Sequence, residues 1–391
     1  VLIANTDAKP NDKILHGNER VMHARLNDAK FFYTQDLKMP LDKHLAALKH
    51  MVFQTKLGTQ FDKTERLMIL APLISTEIGG NPTLAARAAE LSKCDLMSTM
   101  VGEFPELQGI MGYYYARHDQ EEGEVAKAIR EAYLPKFAGD ELPATQTGLA
   151  LALADRLDTL VGIFGIGLTP TGDKDPYALR RQANAIVRIL IEKSFDLDLN
   201  SLLLDAAKNY GNRIAPEVVP QILQFCFERA KAWFQEQGVS PKVIEAVLAN
   251  EQPTRPLDFA KRIEAVNHFQ HLPEAESLAA ANKRVRNILT KSGFTIDIHT
   301  NPRINEKVLV ADQEKTLYEQ IEQLRRATKP LIDKGAYTET LNELAQLKEP
   351  VDAFFDAVMV NVEDEDLRVN RVNLLSNLHN LFGQVADISK L

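Results

Sequence analysis

The chain has 391 residues, of which 45% are hydrophobic and 26% charged, a length that suits two or three domains and a composition that supports packed cores. Its formal net charge of −8 at pH 7 excludes a protein that is basic over its whole surface, the usual form of a general nucleic-acid binder. Two isolated cysteines, Cys94 and Cys226, argue against a disulfide framework or a multi-cysteine zinc site and fit a reducing cytosol.

Helical patterns dominate the first half of the chain. Residues 1–50 hold a helical pattern around Val21 to Phe32, and we expect them to form a connector. Residues 51–195 predict a helical domain with Gly, Pro and Asn between its helices. The expected helical segments are 49–81, 83–100, 106–115, 123–133, 145–164 and 177–192.

A polar loop joins the last two of these helices. Residues 168–181 read LTPTGDKDPYALRR, in which two prolines stiffen the chain and Gly172 permits a positive φ. Asp175 is a good N-cap for a helix that begins at Pro176. The charges exceed what a simple corner needs, so we expect an exposed interaction surface formed by Asp173, Lys174, Asp175, Arg180 and Arg181.

The second half is also helical, and the predicted fold class is therefore all-α. Residues 196–255 predict a helical linker that ends at Pro253 and Pro256, and residues 256–391 a last helical domain. Its expected helices are 257–270, 274–289, 307–333, 337–347, 350–360 and 364–381. No apolar run reaches the roughly 18 residues of a membrane span, so no membrane partner is expected.

Basic residues cluster in that last domain. Residues 255–303 carry three more positive than negative charges, whereas residues 305–366 carry eight more negative ones. Phosphate binding needs cations on one face, and the candidates are Lys283, Arg284, Arg286 and Arg371. Asn282 and Asn287 are candidate base readers. Ordinary solvated helix faces remain the alternative interpretation.

Metal-site patterns are incomplete. Cys94-Asp95 with the later Asp155 follows the skeleton of an HD-type phosphohydrolase, but both imidazoles of that site are missing. We therefore expect no metal, and Asp95 and Asp155 to cap or pair with basic neighbours. His268 and His271, three residues apart on one predicted helix, have only Glu264 nearby and favour a surface pair. No Gly-rich phosphate loop is present, so nothing in the chain predicts ATP binding.

Many segments resemble, in the same order, one known family. They are 17–21 (GNERV), 24–28 (ARLND), 52–58 (VFQTKLG), 91–96 (LSKCDL), 100–109 (MVGEFPELQG), 168–181, 280–288 (AANKRVRNI), 367–371 (LRVNR) and 386–391 (ADISKL). The chain resembles the β subunit of bacterial heterotetrameric glycyl-tRNA synthetase from about residue 16 onwards. Its last domain is similar to the anticodon-binding domain of arginyl-tRNA synthetase, in which a Leu-Arg pair, here Leu367-Arg368, opens a late helix.

The resemblance implies a C-terminal portion of that subunit, comprising an HD domain, a helical linker and an anticodon-binding domain. It implies binding of tRNA(Gly) and assembly with the α subunit as α2β2 in the cytoplasm, with ATP and Mg at the α subunit. This portion is then part of a ligase without catalytic residues or cofactors of its own. Two rival hypotheses are a metal-dependent HD-type phosphohydrolase that uses Asp95 and Asp155, and a helical protein-interaction scaffold.

Overall fold

A computed structural model describes residues 12–250, 252–293 and 297–391. These residues form 17 α-helices and one two-stranded sheet, which confirms the all-α fold class. The chain divides into two compact units. Unit 1 comprises Val1–Ile189 and Ser201–Ile222, and unit 2 comprises Leu190–Asn200 and Leu223–Leu391. The expected domain boundaries at residues 50, 195 and 255 stay a prediction, and residues 1–11 of the expected connector lie outside the described part.

The helices of unit 1 and those shared with unit 2 begin and end as follows: α1 (Asp12–Asp36), α2 (Gln60–Glu77), α3 (Pro82–Leu91), α4 (Thr99–Glu103), α5 (Ile110–His118), α6 (Gly123–Glu131), α7 (Gln146–Gly165), α8 (Leu179–Glu192), α9 (Leu199–Lys208) and α10 (Val219–Glu236). The remaining helices belong to unit 2: α11 (Pro241–Leu248), α12 (Pro256–Phe269), α13 (Ala275–Lys291), α14 (Asp312–Asp333), α15 (Tyr337–Leu344), α16 (Lys348–Ala357) and α17 (Glu365–Gly383).

A small hairpin stands where the sequence predicted helix from residue 49. Strands β1 (Val52–Gln54) and β2 (Gly58–Thr59) pair in antiparallel register, and α2 begins only at Gln60. Gly58 has φ +98°, a conformation that ends a helix and that glycine adopts freely. Thr59 and Asp62 then form a capping box that starts α2. The prediction of one helical segment over 49–81 is therefore wrong before residue 60.

The predicted helix over 83–100 is also interrupted. Helix α3 begins with Asn81 as N-cap and Pro82 at its first position, and it ends at Leu91. A short 3₁₀ turn, Cys94–Met97, follows, and Ser98 caps α4. The Asp95 carboxylate accepts hydrogen bonds from the Gly109 and Gly112 amides. Because these bonds turn the chain here, one straight helix over 83–100 is wrong.

Helix α7 is the centre of unit 1. Nearly all of its side chains are buried, and it packs against α2, α3 and α6. Thr145 accepts a hydrogen bond from the Gly148 amide and caps the helix. Arg156 is buried, and its guanidinium donates to the carbonyls of Ala132 and Leu134, which lie beyond the end of α6. A helix buried on all sides positions its few charged residues deep inside the unit.

Unit 2 has its core among α12 to α17. Phe269 of α12 lies against Phe382 of α17, and Phe354 of α16 is fully buried. Asp364 accepts a hydrogen bond from the Leu367 amide and caps α17. The Leu367-Arg368 pair therefore lies in the first turn of a late helix, as the family resemblance implies. Within the described ranges, no helix combines the length and the apolar character needed to cross a bilayer.

Candidate functional site

Asp155, which the sequence pattern matched to the distant aspartate of an HD-type site, is held by two lysines. The ammonium nitrogens of Lys63 and Lys93 lie 3.3 Å and 3.1 Å from the same carboxylate oxygen, Oδ1. Burial alone would raise the pKa of Asp155, but the two ammonium charges hold it well below its usual range. Two lysine ammonium groups are thus paired with the carboxylate that a divalent metal ion would need as a ligand. The expectation that Asp155 pairs with basic neighbours agrees with this geometry.

The same cluster continues one helical turn along α7. Arg66 donates to both Asp158 carboxylate oxygens, at 2.6 Å and 3.1 Å, and Lys63 donates to one of them at 3.1 Å. The Tyr210 hydroxyl donates to the Asp158 carbonyl at 2.9 Å, and the Arg66 guanidinium lies over the Tyr210 ring. Charges this deeply buried persist only when they are paired and hydrogen-bonded. This cluster is a structural centre of unit 1.

Asp95 is buried, and its carboxylate accepts hydrogen bonds from backbone amides. Its Oδ2 accepts from the Gly109 amide at 2.6 Å and from the Gly112 amide at 3.0 Å. Burial raises the pKa of Asp95 to about 6 despite these bonds. Its neighbour Cys94 is buried, and burial raises the pKa of its thiol to about 12, which makes it a poor ligand or nucleophile. Asp95 therefore stabilises the turn between α3 and α5.

The histidine pair does not share a helix. Helix α12 ends at Phe269, so His271 lies beyond it, and the ring of His271 contacts the Gln270 amide instead. The prediction of His268 and His271 on one helix is wrong. Among the described residues, no group of three or more His, Cys, Asp or Glu side chains is arranged to hold a metal ion.

The loop at 168–181 is partly exposed. Gly172 has φ +51°, as expected, whereas helix α8 begins at Leu179 because Ala178 also has a positive φ. Asp175 accepts from the Leu179 and Arg180 amides, so it caps the helix from outside rather than from directly before Pro176. The predicted helix start at Pro176 is therefore wrong. Asp173, Lys174 and Arg181 are exposed, and Arg180 donates to the Gly172 carbonyl at 2.6 Å.

The four candidate RNA-binding cations have different environments. Lys283 and Arg284 are exposed on neighbouring positions of α13. Arg286 donates to the buried Asp387 carboxylate at 2.8 Å. Arg371 is buried, and its guanidinium pairs with Glu314 and donates to the Met359 carbonyl. Arg371 therefore does not present the expected second basic row on the surface. Asn282 is buried and bonds back to Leu278, whereas Asn287 is exposed.

Arg284 borders a groove in unit 2. Its guanidinium lies over the Phe355 ring, 4.3 Å from the ring centre, and no carboxylate in the described part of the chain lies within ion-pair distance of it. The groove has a volume of about 770 Å³ and runs between α13, α16 and the start of α17. We call it the Arg284 groove. It is lined in part by Arg284, Lys291, Phe355, Asp356, Met359 and Arg368.

Sequence reasoning missed both the buried cluster and most of this groove. The cluster had a readable signal, because Lys63 and Arg66 on α2 and Asp155 and Asp158 on α7 are each spaced three residues apart, which places each pair on one helix face. The groove had none, because Phe354 and Phe355 look alike in sequence and only the second is accessible.

Comparisons with known proteins agree with the motifs. The family model for the glycyl-tRNA synthetase beta subunit matches residues 1–249, and the model for the DALR anticodon binding domain matches residues 278–388. Glycine–tRNA ligase beta subunits of Pectobacterium carotovorum, Pseudomonas putida and Coxiella burnetii are each 50% identical to this chain over 392 residues.

These matches cover 100% of this chain but 56%, 57% and 56% of the respective relatives. The chain thus spans little more than half the length of the curated relatives that it matches. Because the first family model covers well over half of this chain, the match shows the family. The chain belongs to the glycyl-tRNA synthetase beta subunit family, and its last part carries a DALR anticodon binding domain.

Proposed function

We propose that this chain is the tRNA-binding part of a glycine–tRNA ligase β subunit. In this role it binds tRNA(Gly) through unit 2 and positions the acceptor end of the tRNA for aminoacylation by an α subunit in an α2β2 assembly. ATP and Mg bind at the α subunit, where glycine is activated. The enzyme acts in the cytoplasm. The names of the relatives and the domain match at residues 278–388 support this proposal.

The observation that carries the proposal is the accessible cation Arg284 inside the DALR segment. Its guanidinium lies over the Phe355 ring, and its N–H donors have no carboxylate partner among the described residues, so they are available to phosphate or base acceptors. Lys283 adds an exposed charge at the next position. Phosphate binding requires cations that are not already paired with carboxylates of the same protein.

The contribution to catalysis is positional. The chain has no phosphate-binding glycine loop, and its HD-like aspartates are occupied by lysines and backbone amides. Holding one reactant in the correct place is by itself worth several kcal/mol of barrier reduction, roughly 7–11 in the best intramolecular cases. A subunit can therefore matter for the rate without touching the reacting atoms.

Electrophoretic shifts with tRNA(Gly) transcripts test the binding role. We expect the purified chain to bind tRNA(Gly), with an affinity that falls as salt rises, and to bind a tRNA with an altered anticodon more weakly. Absence of any shift at low salt would contradict the proposal. A second assay measures glycine-dependent ATP–pyrophosphate exchange, and we expect none from this chain without an α subunit.

A further inference from the structure

We propose that the Arg284 groove binds one unpaired base of the bound RNA, with the base stacked on the guanidinium plane of Arg284. This inference rests on the proposed tRNA-binding function and names the place where a base is held. The supporting features are the stacked arginine, the apolar floor, the cationic rim and the size of the groove.

The first feature is the position of Arg284 over an aromatic ring. The central carbon of its guanidinium, Cζ, lies 4.3 Å from the centre of the Phe355 ring, and the side chain remains exposed. Unpaired RNA bases stack on aromatic rings and on arginine planes. An arginine already in contact with a ring loses less freedom when it binds a base than an arginine without such a contact.

The second feature is the apolar floor. Val358, Val360 and Val372 are buried beneath the groove, and Met359 has 73% of its surface exposed at its edge. An accessible apolar side chain at this edge adds surface that a bound base can remove from water. The flat face of a base covers apolar groups while its polar edge remains in contact with water.

The third feature is charge. The rim carries the cations Arg284, Lys291 and Arg368 against the single carboxylate Asp356. Another surface depression of unit 2 has the opposite character, since three carboxylates and one cation line it: Glu306, Glu319, Glu322 and Arg326. A polyanionic chain is attracted to the first and repelled by the second. The pairing of Arg368 with Glu365 is long, at 3.7 Å, and both side chains are exposed, so it can be exchanged for a phosphate.

The fourth feature is size. About 770 Å³ falls within the range of roughly 300–1,000 Å³ that is usual for small-ligand sites, so the groove has room for a base with part of its sugar. A volume of this size cannot enclose a duplex. The occupant is therefore a base from a loop or a single strand, and an anticodon loop supplies such bases.

The experiment uses the full chain and a tRNA(Gly) anticodon-arm hairpin with 2-aminopurine at one loop position at a time. We expect the fluorescence of one reporter to fall on binding, because stacking quenches it. In Arg284→Lys, which keeps the charge but loses the plane, and in Phe355→Leu, which keeps the apolar bulk, that change should disappear. Affinity should fall roughly 5- to 150-fold, the usual loss for one stacked base. Lys307→Ala, an exposed lysine outside the groove, is the charge control.

The outcomes are distinguishable. Binding of the hairpin with no reporter change at any loop position would overturn the groove proposal and leave the tRNA-binding function standing. The groove proposal is also overturned if folded Arg284→Lys and Phe355→Leu bind as tightly as the unmodified chain. If the unmodified chain binds neither hairpin nor tRNA(Gly), the proposed function fails and the groove proposal fails with it.

Discussion

Lys93 holds its ammonium nitrogen 3.1 Å from the carboxylate of Asp155, and both residues lie inside unit 1. Lys63 approaches the same oxygen from α2, and the Lys93 ammonium also lies over the ring of Tyr133. In an HD-type enzyme the corresponding aspartate binds a metal ion. In this chain two lysines satisfy the carboxylate, and the charges around it are paired inside unit 1.

We therefore expect Asp155→Asn to destabilise the chain strongly. The substitution leaves Lys63 and Lys93 buried with one fewer anion, and breaking a buried ion pair costs about 3–5 kcal/mol. The free energy of unfolding, from urea titration at pH 7, measures this cost. Asp173→Asn, at an exposed position, should change it by less than about 0.5 kcal/mol. Metal analysis of the purified chain is a separate check. Stoichiometric Mn, Fe or Zn that is lost in the Asp95→Ala variant would show a metal site and contradict the expectation of none.

Asp95 should make stability depend on pH. Burial raises its pKa to about 6 in the folded chain, against about 3.9 when unfolded. Between these values the folded state keeps a proton that the unfolded state releases. The stabilisation of the folded state by protonated Asp95 is complete below pH 4. It is lost as the pH rises through 6, and the free energy of unfolding falls by about 3 kcal/mol in all.

Urea titrations of the unmodified chain and of Asp95→Asn from pH 4 to pH 7 measure this effect. The difference between the two unfolding free energies should shift in favour of the neutral variant as the pH rises. A difference that stays constant over this range would show that Asp95 does not titrate there.

Arg371 should act through stability. It pairs with Glu314, which is fully buried, and Glu314 also accepts hydrogen bonds from the Val310 and Ala311 amides. Arg371→Met leaves that carboxylate without its cation, and we expect a loss of about 3–5 kcal/mol. Arg368→Met removes an exposed pair on the same helix and should cost about 0–1 kcal/mol. Equal urea midpoints for the two variants would contradict the structural role of Arg371.

Replacing Lys283, Arg284 and Arg286 together by Ala should weaken tRNA binding and flatten its salt dependence. Each lost single-strand phosphate contact lowers the slope by roughly 0.7, which gives up to about two units for three contacts. Because Arg286 is paired with Asp387, most of the change should already appear in the Lys283→Ala, Arg284→Ala double variant. Binding titrations over a series of salt concentrations give the slope. A folded triple variant with unchanged affinity and slope would place the RNA-binding surface elsewhere.

In the loop at 168–181, one residue caps helix α8 and others are exposed on the surface, so the two roles can be tested separately. Asp175→Ala removes the acceptor of the Leu179 and Arg180 amides and should cost about 1 kcal/mol of stability. Replacing the exposed Asp173, Lys174 and Arg181 together by Ala should leave stability nearly unchanged but weaken assembly with the α subunit or tRNA. Thermal unfolding and co-purification with the α subunit measure the two effects. Unchanged assembly and tRNA affinity in the triple variant would leave the loop only a corner of the fold.

Sequence alone determined the helical class and the family. Helix starts are local events, and the helices predicted to begin at residues 145 and 364 begin one residue later, with Thr145 and Asp364 as their N-caps. The family motifs are also local strings, which need no knowledge of the fold. Where the local pattern failed, at the hairpin before α2 and at the turn around Asp95, positive-φ glycine or a hydrogen bond to a distant amide decided the path.

The roles of the charged residues were decided by the tertiary structure. Arg368 and Arg371 lie three positions apart on one helix, yet the side chain of the first is 42% exposed and the second is buried against Glu314, 57 residues away in the chain. Lys63 finds Asp155 and Asp158 more than 90 residues later, and Arg284 finds its stacking partner in Phe355. The sequence does not show whether a carboxylate lies against a given cation in the folded chain. The free energy of burying a charged side chain depends on its partner, and only tertiary packing brings the partner to it.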